Sequence, residues 1–179
     1  MTAYSNAFPT DISPLNPNGF TFSVDRLPDT TFFVQSVNLP GINLGEFNQA
    51  TPLIMNPIPG EMITYNDLSL EFQVDANMTN WRAIHDWIIG LGFPEKHEQY
   101  LSYLTADEKV KISEISKNYS DATLQVLSGQ NNPVKTFTFV DMFPTALEPI
   151  QFESKMQDVM MVSGRATFKF AFYLSLIHI

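Results

Sequence analysis

The sequence predicts a mainly β protein with one principal α-helix, built as two packed antiparallel sheets in a β-sandwich or partly open barrel with the helix at one side. Three observations lead there. Seven or eight short apolar or alternating runs lie between turn signals. A single long segment, Asn77–Pro94, has helical periodicity. Fifteen Phe, six Tyr and two Trp in 179 residues, with 44% hydrophobic content, supply enough large side chains for one core of ordinary domain size.

Residues 1–18 carry Pro9, Pro14 and Pro17 among Ser and Asn. Proline donates no amide hydrogen bond, so this stretch is expected to be an extended arm that lies on something else. The remainder, 19–179, reads as one domain. Phe20, Phe22 and Val24 alternate with Thr21, Ser23 and Asp25, the pattern of a half-buried strand. After a turn at Leu27-Pro28-Asp29, a second strand is expected over Thr31–Val37, with Phe32, Val34 and Ser36 on one face and Phe33, Gln35 and Val37 on the other.

Leu39-Pro40-Gly41-Ile42 reads as a turn, proline presetting φ and glycine permitting positive φ. Over 43–61 the apolar residues Leu44, Phe47, Leu53, Ile54, Met55 and Ile58 are interrupted by Pro52, Pro57 and Pro59. Such a segment cannot be a central strand; it is an edge hairpin or protruding arm whose apolar side chains need cover from elsewhere, or a loop folded on its own core. Ile63–Asp75 is the cleanest strand, Leu68, Leu70, Phe72 and Val74 alternating with Ser69, Glu71, Gln73 and Asp75.

In Asn77–Pro94, Trp81, Ile84, Ile88 and Leu91 share one helical face with Trp87 beside them, and Arg82, His85, Asp86 and Ile89 face outward. Asn77, Thr79 or Asn80 can supply the N-cap oxygen, and Gly90-Leu91-Gly92-Phe93-Pro94 ends the helix. Residues 95–121 are the most charged part of the chain and form a surface excursion, short helix or irregular. Ala122–Leu127 and Pro133–Phe143 pair through the loop Ser128-Gly129-Gln130-Asn131-Asn132, and Phe143-Pro144-Thr145 ends that pair. Leu147–Phe152 and Asp158–Val162 are short apolar runs, and Ala166–Leu174 closes the chain with Phe168, Phe170 and Phe172 alternating against Thr167, Lys169, Ala171 and Tyr173.

Composition removes several function classes. Charged residues are 16% of the chain, below the ~25% usual for soluble domains, which points to burial against partners. The net charge is −9 with ten Lys and Arg and no basic cluster, unlike a surface that grips phosphates. Cysteine is absent, so disulfides and thiolate metal sites are impossible. No basic leader and no run of ~18 apolar residues is present, so a protein assembled in a cytoplasm, with no membrane partner, is expected.

Chemistry has little to work with. His85, His97 and His178 do not have zinc-ligand spacing, and there is no GxSxG, P-loop or GxGxxG. Gly90-Leu91-Gly92 stops a helix, and Asp107-Glu108 sits in the charged excursion. No catalytic residue, metal site or cofactor is expected, and the chain is read as no enzyme.

Leu39-Pro40-Gly41-Ile42, then Ile58-Pro59-Gly60-Glu61 leading into Thr64-Tyr65-Asn66-Asp67-Leu68-Ser69-Leu70-Glu71-Phe72, then Trp81–Pro94 and the closing Phe-rich strand, resemble the tail-tube family of contractile-tailed bacteriophages over most of 19–175. The YSNAFP arm and the Gly90–Pro94 helix end are most similar to its completion branch, which terminates the tube and stabilises the sheath. The major tube protein and the baseplate-side initiator remain alternatives. The resemblance implies the phage tail-tube fold and a homo-hexameric ring in the virion tail. Its partners are the adjacent tube ring, the tail sheath and neck proteins, and genomic DNA passes through the lumen without specific binding. It implies inter-subunit contact through Leu39, Pro40, Gly41, Ile42, Phe47, Leu53, Ile54, Met55, Pro57 and Ile58. Ser69, Glu71, Gln73, Thr167 and Lys169 would line the lumen from a polar sheet face, although Lys169 runs against a uniformly acidic wall.

Two other classes stay open. A monomeric β-sandwich could hold a glycan or peptide with Trp81, Trp87 or Tyr103, which requires exposed aromatics. A hydrolase built on His85 and a strand carboxylate is the third.

Overall fold

The computed structural model describes residues 15, 17–28, 33–50, 53–92, 118–152 and 161–177. Most of the arm at 1–18, the charged segment as far as residue 117, and His97, Tyr103 and His178 lie outside these residues, as do Thr31, Phe32 and Asp158–Met160. Among the described residues nine strands and one helix are formed: β1 (Phe20–Val24), β2 (Val34–Val37), β3 (Ile42–Ala50), β4 (Met55–Tyr65), β5 (Leu68–Gln73), α1 (Thr79–Gly92), β6 (Ser120–Leu127), β7 (Pro133–Leu147), β8 (Ser163–Lys169) and β9 (Phe172–Ile177).

Two sheets share one long strand. β1, β6, the first part of β7 and β9 form one sheet, and the end of β7, β8, β5 and β2 form the other, every pairing antiparallel. The fold is therefore mainly β with two packed antiparallel sheets and one helix, as the sequence predicts. Their inner faces meet in one cluster that includes Phe22, Val24, Leu124 and Phe139 from the first sheet and Leu68, Leu70, Phe72 and Phe168 from the second.

The corner where the sheets join overturns three expectations. Phe143-Pro144-Thr145 does not end a strand: β7 runs to Leu147, leaving β9 after Val140 and joining β8 from Phe143. Asp141 makes the bend at φ 54°, a left-handed conformation that a short polar side chain tolerates, and its amide donates to Asp121 Oδ1 at 3.2 Å. Pro144 is accommodated because that part of β7 is an edge with a register shift beside it. Ala166–Leu174 is likewise two strands, broken at Phe170-Ala171 where the chain crosses between sheets. The run Leu147–Phe152 gives no strand beyond Leu147, and Met161-Val162 lie outside regular structure.

Three more boundaries move. Ile63–Asp75 splits at Asn66-Asp67: Ile63–Tyr65 end β4, and β5 carries only Leu68–Gln73. In β2 a bulge between Val34 and Ser36 puts Val34 and Val37 both against the core, so the expected strict alternation fails there. Gly41 has no positive φ; its glycine identity answers to Asn66, whose Nδ2 would lie 3.0 Å from a Cβ.

Helix α1 covers the core with a stripe centred one position away from the predicted one. Ile84 and Trp87 are buried, whereas Trp81, Ile88 and Leu91 are half-buried at its margins. None of the three candidate residues occupies the N-cap position: Arg82 N bonds Met78 O, which makes Met78 the cap, at φ 55°. Asn80, buried, performs the connection instead. Its Oδ1 accepts from Asp75 N (3.2 Å) and Trp81 N (2.8 Å), and its Nδ2 donates to Gln73 O (2.7 Å), tying the helix to the end of β5.

Replacing Asn80 by alanine removes all three bonds and leaves their main-chain partners under cover. The expected cost is about 2–3 kcal/mol, read by calorimetry as a melting temperature about 5–10 °C lower for a chain of this length. A shift under about 2 °C would mean that solvent reaches the junction.

Candidate assembly surfaces

The hairpin β3–β4 is a separate two-stranded sheet that pairs with neither of the larger ones. Its register places Ile42 opposite Tyr65, Leu44 opposite Ile63, and Phe47 opposite Ile58. Prolines 57 and 59 are in β4, and the segment is a hairpin rather than a loop folded on its own core. Every residue of β3 is exposed, and Leu53 and Met62 are 93% and 73% exposed. Two strands alone are marginal in water, and an exposed apolar surface of this kind is characteristic of an interaction site.

The root of the hairpin is well tied. Tyr65 packs at ring-centroid distances of 5.5 Å from Phe170 and 5.4 Å from Tyr173, joining β4 to the corner between the sheets. Asn66 N donates to Gly41 O at 3.0 Å, and Asn43 Nδ2 to Asn66 Oδ1 at 2.9 Å. Asn38 spans the neighbouring turn, accepting from Ser69 N and donating to Asp67 O. Midway along, β4 carries extra residues opposite Gly45, and a Cβ on Gly60 would lie 2.6 Å from Gly45 O.

Among the residues expected at subunit contacts, Leu39, Gly41, Ile42, Phe47, Leu53, Ile54, Met55 and Pro57 are exposed and Ile58 is half-buried. Pro40 is buried within the chain itself. Met62 and Ile63 are exposed as well, although the sequence pattern places Ile63 in the following strand. Phe172, Leu174 and Leu176 form a further exposed apolar row on β9, an edge strand; their alternation resembles a core pattern, so local sequence gives no sign of their exposure.

Ser69, Glu71 and Gln73 on β5 stand opposite Thr167, Arg165 and Ser163 on β8, on the sheet face that points away from the core. Arg165 lies 3.6 Å from Glu71 and 3.9 Å from Glu148, and Lys169 lies 4.0 Å from Asp67. Both cations of this face are thus accompanied by carboxylates, and the face is mixed in sign rather than acidic. Partly exposed pairs of this length contribute little to stability; they determine what the face presents to a neighbour.

On the helix, Arg82 and Asp86 are exposed and 3.5 Å apart. His85 and Ile89 are only half outward. The His85 ring stacks on Trp81 at 5.2 Å, and its Nδ1 is 3.2 Å from Asp86 Oδ1. Trp87 is buried with its Nε1 donating to Asn118 O at 3.2 Å, so it cannot line an open ligand cleft. No group of three or more metal-ligating side chains comes together among the described residues, and none of their helices is long and apolar enough to cross a membrane.

Solved structures of contractile injection systems share this fold. The sheath/tube terminator of the extracellular contractile injection system PVC, in the extended state, aligns with a TM-score of 0.61 and 16% identity over 92% of this chain and 97% of that one. The tube-terminating cap of the anti-feeding prophage gives 0.58 and 13% over 99% and 100%. The PVC sheath–tube complex gives 0.56 and 15% over 92% and 93%. A search of curated proteins finds no match. The family model for phage tail tube proteins matches residues 3–176, nearly the whole sequence. By that match the chain belongs to the phage tail tube protein family, whose members are structural proteins and not enzymes.

Proposed function

We propose that six copies of this chain form a ring of the phage tail. The ring terminates the tail tube and stabilises the sheath at the neck-proximal end. The observation that carries this reading is the β3–β4 hairpin, whose apolar residues from Phe47 through Leu53 to Met62 stay exposed in the isolated chain. Burying them requires another molecule, and a tail tube protein has copies of itself at hand. Solved structures of like fold include a sheath/tube terminator and a terminating cap, which supports a place at the end of the tube.

In such a ring Ser69, Glu71, Gln73, Thr167 and Lys169 line the lumen, where carboxylates beside Arg165 and Lys169 lessen the hold of either cation on passing phosphates. Arg82, Asp86 and the half-outward His85 and Ile89 face the sheath. Adjacent tube ring, sheath and neck proteins are the partners, and assembly takes place in the host cytoplasm.

Electron microscopy of the purified chain tests the proposal. Rings of six that do not stack are expected. Long tubes would identify a major tube protein instead, and monomers at high concentration and in tail extracts alike would overturn the reading.

A further inference from the structure

Two prolines decide which edge of the hairpin can accept another strand. Asn48 stands opposite Pro57 and Glu46 opposite Pro59. Facing residues of an antiparallel pair alternate between those that exchange both N–H···O bonds and those that exchange none. Proline has no N–H, so both prolines occupy non-bonded positions, and the bonded ones are Phe47 with Ile58 and Gln49 with Asn56. At non-bonded positions the N–H and C=O point away from the partner strand. Glu46 and Asn48 therefore direct donors and acceptors to the free edge of β3, while β4 at 57 and 59 offers its free edge carbonyls without donors.

Exposed edges normally carry prolines, bulges or several charges that discourage pairing. β4 has the prolines. β3 has none and a single charge, Glu46, and among the described residues it pairs only with β4.

We propose that the free edge of β3 adds a strand from a second copy of this chain, and that Pro57 and Pro59 confine the addition to that edge. The strand that fits is β9 of the neighbour. Among the described residues it pairs only with β7, which leaves its other edge without a strand partner there, and its outward Phe172, Leu174 and Leu176 need cover as the hairpin does. Addition turns a marginal two-stranded hairpin into part of a larger sheet. A joint between two different edges is heterologous, the kind that can close into a ring. The inference rests on the assembly proposed above, and it names the edges that assembly uses.

Residue-resolved hydrogen exchange on the wild-type chain provides the test. In rings the amides of Glu46 and Asn48 are expected to exchange at least about tenfold more slowly than in the monomeric fraction, by a full ladder bond's protection. Asn48→Pro removes a donor from the free edge and none from the hairpin ladder, so it should abolish rings. Pro57→Val with Pro59→Val restores donors to β4 and should give larger, irregular species. Rings in which Glu46 and Asn48 exchange as fast as in monomers, or Asn48→Pro rings at wild-type yield, overturn this inference and leave the ring proposal standing. A wild-type chain that never leaves the monomer overturns both.

Discussion

Gly60→Val is expected to cut the ring population at least about tenfold, the equivalent of 1.4 kcal/mol, while the melting temperature of the chain stays within about 2 °C of wild type. The two effects separate because of where Gly60 lies. A Cβ there would sit 2.6 Å from Gly45 O and 2.8 Å from Gly45 C, main-chain atoms that no rotamer change can move aside. The strands must part or shift register, and a shift carries Phe47, Ile58 and the apolar tip out of their present arrangement. None of these residues belongs to the buried cluster between the two sheets, so global stability has little to lose. Gly129→Val is the control: a Cβ there meets nothing within 4 Å, and both readouts should stay at wild type. Light scattering after size exclusion measures the rings and calorimetry the stability. A Gly60→Val chain that assembles normally would show the hairpin to be dispensable, and a fall of more than about 6 °C would show it to be part of the core.

How far such behaviour could be read from sequence depends on how local the cause is. Period-two alternation placed Phe22 and Val24, and Leu68, Leu70 and Phe72, correctly in the core, because each strand lies within one sheet and one face decides its pattern. The same rule failed through Ala166–Leu174. The alternation continues unbroken across Phe170-Ala171, yet the chain changes sheets there and Phe172 emerges on the outside. Nothing at Asp141 announces a bend either; its left-handed φ is imposed by the two sheets that β7 must join.

The hairpin was legible because proline states its restriction locally, whatever the fold around it. The partnership of Glu71 with Arg165 was not, since distant strands bring those residues together through a register that only the folded sheet defines. Asn80 is the instructive miss on the helix: its sequence position makes it one of three candidates for the N-cap oxygen, whereas three main-chain groups at the strand–helix junction require a buried amide.

Trp87→Ala is expected to have the largest effect on the fold, about 3–5 kcal/mol, or a fall of about 6–20 °C in melting temperature at this chain length. The side chain is buried with its ring 6.3 Å from Phe168 on β8, and the Arg26 guanidinium lies 5.3 Å over it from the turn after β1. Its Nε1 bonds Asn118 O at the approach to β6. One indole thus links the helix to both sheets, and truncation leaves a cavity and removes the bond to Asn118 O. Trp81→Phe is the comparison that isolates this role. Trp81 is half-buried, and its Nε1 is covered without a hydrogen-bond partner among the described residues. Losing that donor recovers part of what the smaller ring gives up, so the net change should stay below about 1 kcal/mol. The chain's two tryptophans should therefore differ severalfold in cost despite lying on one helix, and calorimetry of the two variants decides it. Equal losses would mean that α1 is held by its whole apolar stripe, with no special part for Trp87; a Trp87→Ala loss under about 2 kcal/mol would mean that the helix does not brace the two sheets at all.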